Sequence, residues 1–161
     1  MTIVDQHDIV VSRTVEPLDE EPCDREIANW LTHALVKVER VGLTEVSVQI
    51  LSRDEMASLN QQYRGRDKPT NVLSFPAETA LEDNRILLGD IAVCSDVVLG
   101  EAIEYNKTFQ SRYAHIMIHG LLHLLGYDHV EKNEQFRMEK METEILLGIG
   151  FDKPYEVGVS A

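Results

Sequence analysis

The segment from His119 to His129 places three imidazoles, His119, His123 and His129, at relative positions 0, 4 and 10, with Gly126 at position 7. Few backbone arrangements make use of that spacing. At ~3.6 residues per turn, His119 and His123 project from one side of a helix and can grip the same ion. Gly126 can then take the left-handed conformation that ends a helix, turning the chain so that His129 returns as a third ligand. The segment predicts a helix, an abrupt stop, and a site with three neutral nitrogens and an open fourth position. That is the ligand set of a catalytic zinc, because structural zinc sites are closed by four protein ligands.

His115 lies one turn before His119, so His115, His119 and His123 also share a helix face. A straight helix rotates ~40° over four residues, however, and three ligands from successive turns spread along the axis instead of converging. The trio 119, 123 and 129 is the better cage, which leaves His115 as a substrate-side or structural residue. Asp128 is placed either to orient the His129 imidazole or to cap the turn. The spacing also occurs in the metzincin proteases, whose pattern is H-E-x-x-H-x-x-G-x-x-H. Gly120 stands where those enzymes carry the glutamate general base. Hydrolysis of peptides or amides would need a base from elsewhere, with Asp90 and Asp128 as candidates.

At 161 residues the chain is expected to form one domain, spanning 1–161, with a core of its own. The start, Met1 to Val11, carries acids where a leader peptide carries basic residues, and no run approaches the ~20 apolar residues of a membrane span. Cys23 and Cys94 stand far apart without a CxxC pattern and are read as buried thiols. A cytoplasmic location is the expectation. The 28 acidic residues against 15 Lys plus Arg exclude a surface that coats nucleic acid broadly, so any nucleic acid must be met by a local patch. The acids in Asp19 to Glu26 and Glu131 to Glu144 are expected on solvated helix faces.

Periodicity supplies the remaining elements. Apolar residues at Ile27, Leu31, Ala34, Leu35 and Val38 predict a helix over about Pro22–Val41, and Val46, Val48 and Ile50 alternate as a half-buried strand. Ser52 and Glu55 form a capping box that opens a helix carrying Met56, Leu59 and Tyr63 inward. A turn-rich loop over Arg64–Asn71 leads to a short strand, Val72–Phe75, ended by Pro76. Thr79–Asn84 reads as a hairpin tip, Leu87–Cys94 as a strand interrupted by Gly89-Asp90, and Ser95 as the N-cap of a helix over Asp96–Asn106. The histidine helix, a last helix over Asn133–Leu147, and an opening strand at Ile9–Ser12 complete an α+β fold. Its mixed sheet of about four strands is covered, chiefly on one side, by about five helices. Trp30, Met138 and Met141 fit core faces, and His7 and His33 are expected at the surface. Ser74 and Asp90 are polar residues in apolar strands, which need partners if buried.

Arg64, Arg66 and Lys68 concentrate positive charge in a chain of net charge −13. Solvation accounts for many such loops. If this one faces the metal, an arginine in it would neutralise charge building on phosphate oxygens.

Two blocks, Tyr63-Arg64-Gly65 continued by Asp67 through Pro76, and His115 through His129, together with Leu88-Gly89-Asp90-Ile91 between them, closely resemble the YbeY family of bacterial endoribonucleases, also described as rRNA maturation factors. The resemblance implies one zinc ion held by His119, His123 and His129, with Arg64 as the functional arginine. It implies cleavage of single-stranded RNA, maturation of the 16S rRNA 3′ end, a role in ribosome quality control, and contact with the ribosome or its proteins. Arg66, Lys68 and His115 are the further substrate-binding candidates, and Tyr63 or Phe75 could stack splayed bases. DNA and membrane partners are not expected. The alternatives are a zinc hydrolase of peptide or amide bonds and a non-catalytic ribosome-assembly factor whose metal only holds the fold.

Overall fold

The computed structural model describes residues 6–155, so the reading of the leader region falls partly on residues outside this range. Nine elements follow one another there: β1 (His7–Arg13), α1 (Asp24–Lys37), β2 (Thr44–Ile50), α2 (Arg53–Arg64), β3 (Val72–Ala80), β4 (Ile86–Val93), α3 (Ser95–Glu104), α4 (Phe109–Leu124) and α5 (Lys132–Gly148). They build the expected α+β fold around one mixed sheet of order β1-β2-β4-β3. Strands β1, β2 and β4 run parallel, and β3 pairs antiparallel with β4 at the edge. No helix among the described residues is long and apolar enough to cross a membrane.

The alternation in β2 sends Val46, Val48 and Ile50, all 0% exposed, into the main core, which they share with α1, α4 and α5. The other face is covered only near β3 and β4, where Met56 of α2 meets Leu73, Ala92 and Cys94. Helix α4 lies at the centre, and eleven of its sixteen residues are buried. The directions of its side chains are therefore set by packing, which fixes where the histidines point.

Several local expectations are corrected by the packing. Helix α1 is shorter than Pro22–Val41, starting after Cys23, whose backbone N–H donates to Glu26 Oε1 at 3.2 Å; this cysteine is exposed, whereas Cys94 is buried. The Ser52–Glu55 capping box forms, with reciprocal bonds of 3.1 and 3.0 Å. Tyr63, however, is 65% exposed, and Asn60 takes the inward position, donating to the Lys68 carbonyl at 2.9 Å. Pro76 does not end β3. An edge strand tolerates a residue without N–H, and β3 runs on to Ala80 after a register shift between Pro76 and Thr79. Gly89 does not break β4 either, and its φ of +149° permits an approach in which a Cβ would lie 2.4 Å from the Phe75 carbonyl oxygen. Ser95 is the first residue of α3, not its cap, and its hydroxyl pairs with Tyr113 Oη at 2.8 Å. His7 is buried, with Nδ1 2.6 Å from Thr44 Oγ1, while His33 is exposed as expected. Two acids leave the solvated faces expected of them. Glu21 pairs with Arg13 at 2.8 Å, and Glu142 turns inward from α5, each with a side chain 1% exposed.

Candidate functional site

Helix α4 stops where Gly126 predicts. Gly126 has φ +95°, its N–H reaches the His123 carbonyl at 3.1 Å, and the Tyr127 N–H reaches the Leu122 carbonyl at 2.9 Å. This is the paired-bond C-terminal motif that a left-handed residue makes possible. The reversed chain brings His129 back over the helix end. Its ring centroid lies 5.6 Å from that of His119 and 5.1 Å from that of His123. One ligand atom from each of the three residues falls within 4.8 Å of the others.

Hydrogen bonding decides which nitrogens face inward. A carbonyl can only accept, so His123 Nδ1 carries the proton it donates to the Tyr127 oxygen at 3.0 Å. His119 Nδ1 likewise donates to Glu142 Oε1 at 3.0 Å. Each ring, if neutral, then turns a bare Nε2 toward the other, and the two atoms lie 3.1 Å apart. Two lone pairs at that distance repel unless an electron-poor centre lies between them. With bonds of ~2.05 Å, two nitrogens on a tetrahedral zinc sit ~3.3 Å apart. The donor set fits a metal of that kind. Burial, reinforced by His119 and His129, lowers the His123 pKa below its ordinary value and favours the neutral, ligating form.

Glu142 is the residue that sequence reasoning missed most plainly. Its carboxylate bridges His119 and His115, whose Nε2 lies 2.5 Å from Oε2, and it accepts from Tyr155 Oη at 2.8 Å. Burial alone would raise its pKa, but the hydrogen bonds from His115 and His119 outweigh that effect and hold it at about 2. A signal for it existed. Met138, Met141 and Ile145 surround position 142 at −4, −1 and +3, which marks a buried helix face and not a solvated one.

The three histidines line a cleft of about 660 Å³ whose walls include Arg64, Ser74, Arg112 and His115. Arg64 is the last residue of α2, where Gly65, with φ +69°, closes the helix. Arg66 and Lys68 are exposed and do not line the cleft, so of the three loop cations only Arg64 is brought to the histidines. Arg112 was not singled out from the sequence, although it lies on the helix face of His115 and His119 at −3 and −7. It is fixed by two bonds to Glu101 Oε1, at 3.2 and 3.0 Å. Ser74 donates to the Gly120 carbonyl at 2.8 Å.

Gly120 has a packing role that bears on chemistry. A Cβ there would meet Val72 Cγ2 at 3.0 Å, Ile91 Cγ2 at 3.2 Å and Ser74 Oγ at 3.3 Å, because α4 lies directly on β3 and β4. A glutamate at this position has no room. The two substitute bases are placed differently: Asp128 lines the histidine cleft and Asp90 does not. Asp128 Oδ1 accepts the His129 backbone N–H at 2.7 Å while lying 3.9 Å from the ring Nδ1, so it caps the turn and does not orient the imidazole. Asp90 alternates with Ile91 onto the opposite face of the sheet, in a groove with Tyr63 and Phe75. The Tyr63–Phe75 pair, with ring centroids 4.6 Å apart, therefore faces that groove.

Comparison with known proteins agrees with this geometry. A family model described as endoribonuclease YbeY matches residues 9–150. The solution structure of TM1509 from Thermotoga maritima is similar at 30% identity and a TM-score of 0.55, with 89% of this chain and 91% of that chain covered.

Proposed function

We propose, from the premise that the chain belongs to the YbeY endoribonuclease family, that it is a single-domain, zinc-dependent enzyme cleaving single-stranded RNA, acting at the 16S rRNA 3′ end and in ribosome quality control. Family membership makes it an endoribonuclease. The observation that carries the metal-dependent reading is the convergence of His119, His123 and His129 in a cleft walled by Arg64. The metal would be held by Nε2 of His119 and His123 and a ring nitrogen of His129. When bound, zinc supplies a Lewis acid that acidifies water toward a pKa of about 7 and draws charge from a phosphoryl oxygen.

The chain's own residues do the rest. Glu142 and the Tyr127 carbonyl hold two imidazoles in the tautomer that leaves Nε2 free. The Arg64 guanidinium, always charged, offers planar donors to the phosphate and stabilises the extra negative charge of the transition state. Arg112, whose charge is met by Glu101 at 3.0 Å, also lines the cleft. Arg64 brings positive charge to the cleft of a chain of net charge −13.

The test is a cleavage assay on single-stranded RNA, with metal analysis of the same preparations, comparing wild type, Arg64→Ala and His123→Ala. Wild type should hold near-stoichiometric zinc and cut. Arg64→Ala should keep its metal and lose about 10²-fold in rate, and His123→Ala should lose both. Full activity in both variants would refute the reading. The product ends identify the nucleophile, since a 2′,3′-cyclic phosphate marks the neighbouring 2′-hydroxyl and a 5′-phosphate marks water.

A further inference from the structure

A second cavity of about 350 Å³ adjoins the histidine cleft, and Arg112, His115 and Tyr155 line both. Its lining includes the apolar Leu146 and Phe151, with the rings of Tyr105 and Tyr155. Tyr105 is 52% exposed, and the Arg112 guanidinium lies 5.0 Å from its ring centroid. The polar groups of the lining nearly balance in charge. The lining contains one lysine, Lys107, and one aspartate, Asp152, and the charge of Arg112 is met by Glu101 at 3.0 Å. An occupant recognised here is therefore held by its flat apolar surface more than by its charge.

We propose that this cavity is a nucleotide subsite, receiving the base of a residue that flanks the scissile phosphate of the RNA strand. The proposal rests on the reading of the histidine cleft as the RNA cleavage centre. Continuity selects the occupant. Arg112, His115 and Tyr155 line both cavities, so a strand bound in the cleft lies next to the second cavity across these shared residues. The chemistry agrees, because every base has a π-face that stacks on an aromatic ring or a guanidinium plane, while Ser111 and Asp152 can meet a base edge. Single-strand preference follows from the same feature, since a base paired in a duplex cannot leave its stack to fill a side cavity.

The experiment uses the zinc-loaded enzyme and single-stranded RNAs with one cleavage step, in which each neighbouring nucleotide is replaced in turn by an abasic ribose. In the wild type, removal of the base at one position should raise KM roughly tenfold. Tyr105→Ala should raise KM by a similar factor on intact RNA and add little on that abasic RNA. Tyr105→Phe, which keeps the ring, should behave as wild type. Indifference to every abasic position, or losses that multiply, would overturn the subsite while leaving the endoribonuclease reading in place. Failure of the wild type to cut intact RNA would instead remove that reading. A titration with adenosine 5′-monophosphate, followed by amide NMR, then decides the subsite alone. Shifts at Tyr105, Ser111 and Phe151 support it, and their absence overturns it.

Discussion

The Glu142 carboxylate offers the sharpest perturbation of the site that leaves every proposed metal ligand in place. It accepts from His119 Nδ1 at 3.0 Å, His115 Nε2 at 2.5 Å and Tyr155 Oη at 2.8 Å, on a side chain 1% exposed. Glu142→Gln keeps the volume but leaves one acceptor oxygen, so an amide N–H must face one of the two imidazoles. If it faces His119, that ring has to move its proton to Nε2 and loses its ligating lone pair. If it faces His115, His119 keeps its partner but exchanges a charged hydrogen bond for a neutral one, a difference of ~1 kcal/mol. Zinc affinity should thus fall about tenfold in Glu142→Gln and nearer a hundredfold in Glu142→Ala, the range measured for partners of ligating histidines. Competition against a chromophoric chelator reads the affinity, and urea unfolding of the metal-free proteins separates it from stability, where Ala should cost ~3 kcal/mol. Zinc affinity within threefold of wild type in both variants would refute the account of how these histidines are held.

Other expectations follow from the packing and the ionisable groups. Gly89→Ala should destabilise the fold by at least ~3 kcal/mol in denaturant titrations, since its Cβ meets the Phe75 carbonyl oxygen at a φ unsuited to alanine. Gly120→Ala should cost less, ~1–2 kcal/mol, because the neighbouring atoms belong to side chains that can shift by a few tenths of an ångström. Burial, aided by Arg40, lowers the His7 pKa from its ordinary 6.5. The unfolded chain therefore takes up this proton first, and stability falls as pH drops below 6.5. Urea midpoints at pH 7.5 and 5.5 should show a smaller acid loss in His7→Gln than in wild type, and parallel losses would refute the assignment. Chelation of the metal should abolish cleavage yet leave the far-UV circular dichroism intact, because Ile118, Leu121 and Leu122 anchor α4 at 0% exposure. Unfolding on chelation would make the metal structural.

What could be read from the residues alone divides along physical lines. The histidine spacing was legible because helix periodicity and a left-handed glycine are local properties, and the same holds for the Ser52–Glu55 box. Strand ends were less legible. Pro76 is compatible with β3 only because that strand is an edge, a fact of sheet order that no window of residues contains. Tyr63 has the spacing of an inward residue, but α2 caps only one end of the reverse face and leaves it outside. Arg64 and Arg66 look equivalent in sequence, and the stop at Gly65 separates them, with Arg64 at the helix end beside the cleft. Glu142 was lost among acids because its partners lie 27 and 23 positions away, and only the packing of α5 on α4 brings them together.

That separation along the chain sets an order of assembly during synthesis. The imidazole trio leaves the ribosome before Glu142 and Tyr155, so an emerging polypeptide has its metal-gripping rings some time before it has the groups that orient them. The orienting carboxylate joins the trio only when α5 packs on α4, so completion of the site waits on completion of the core.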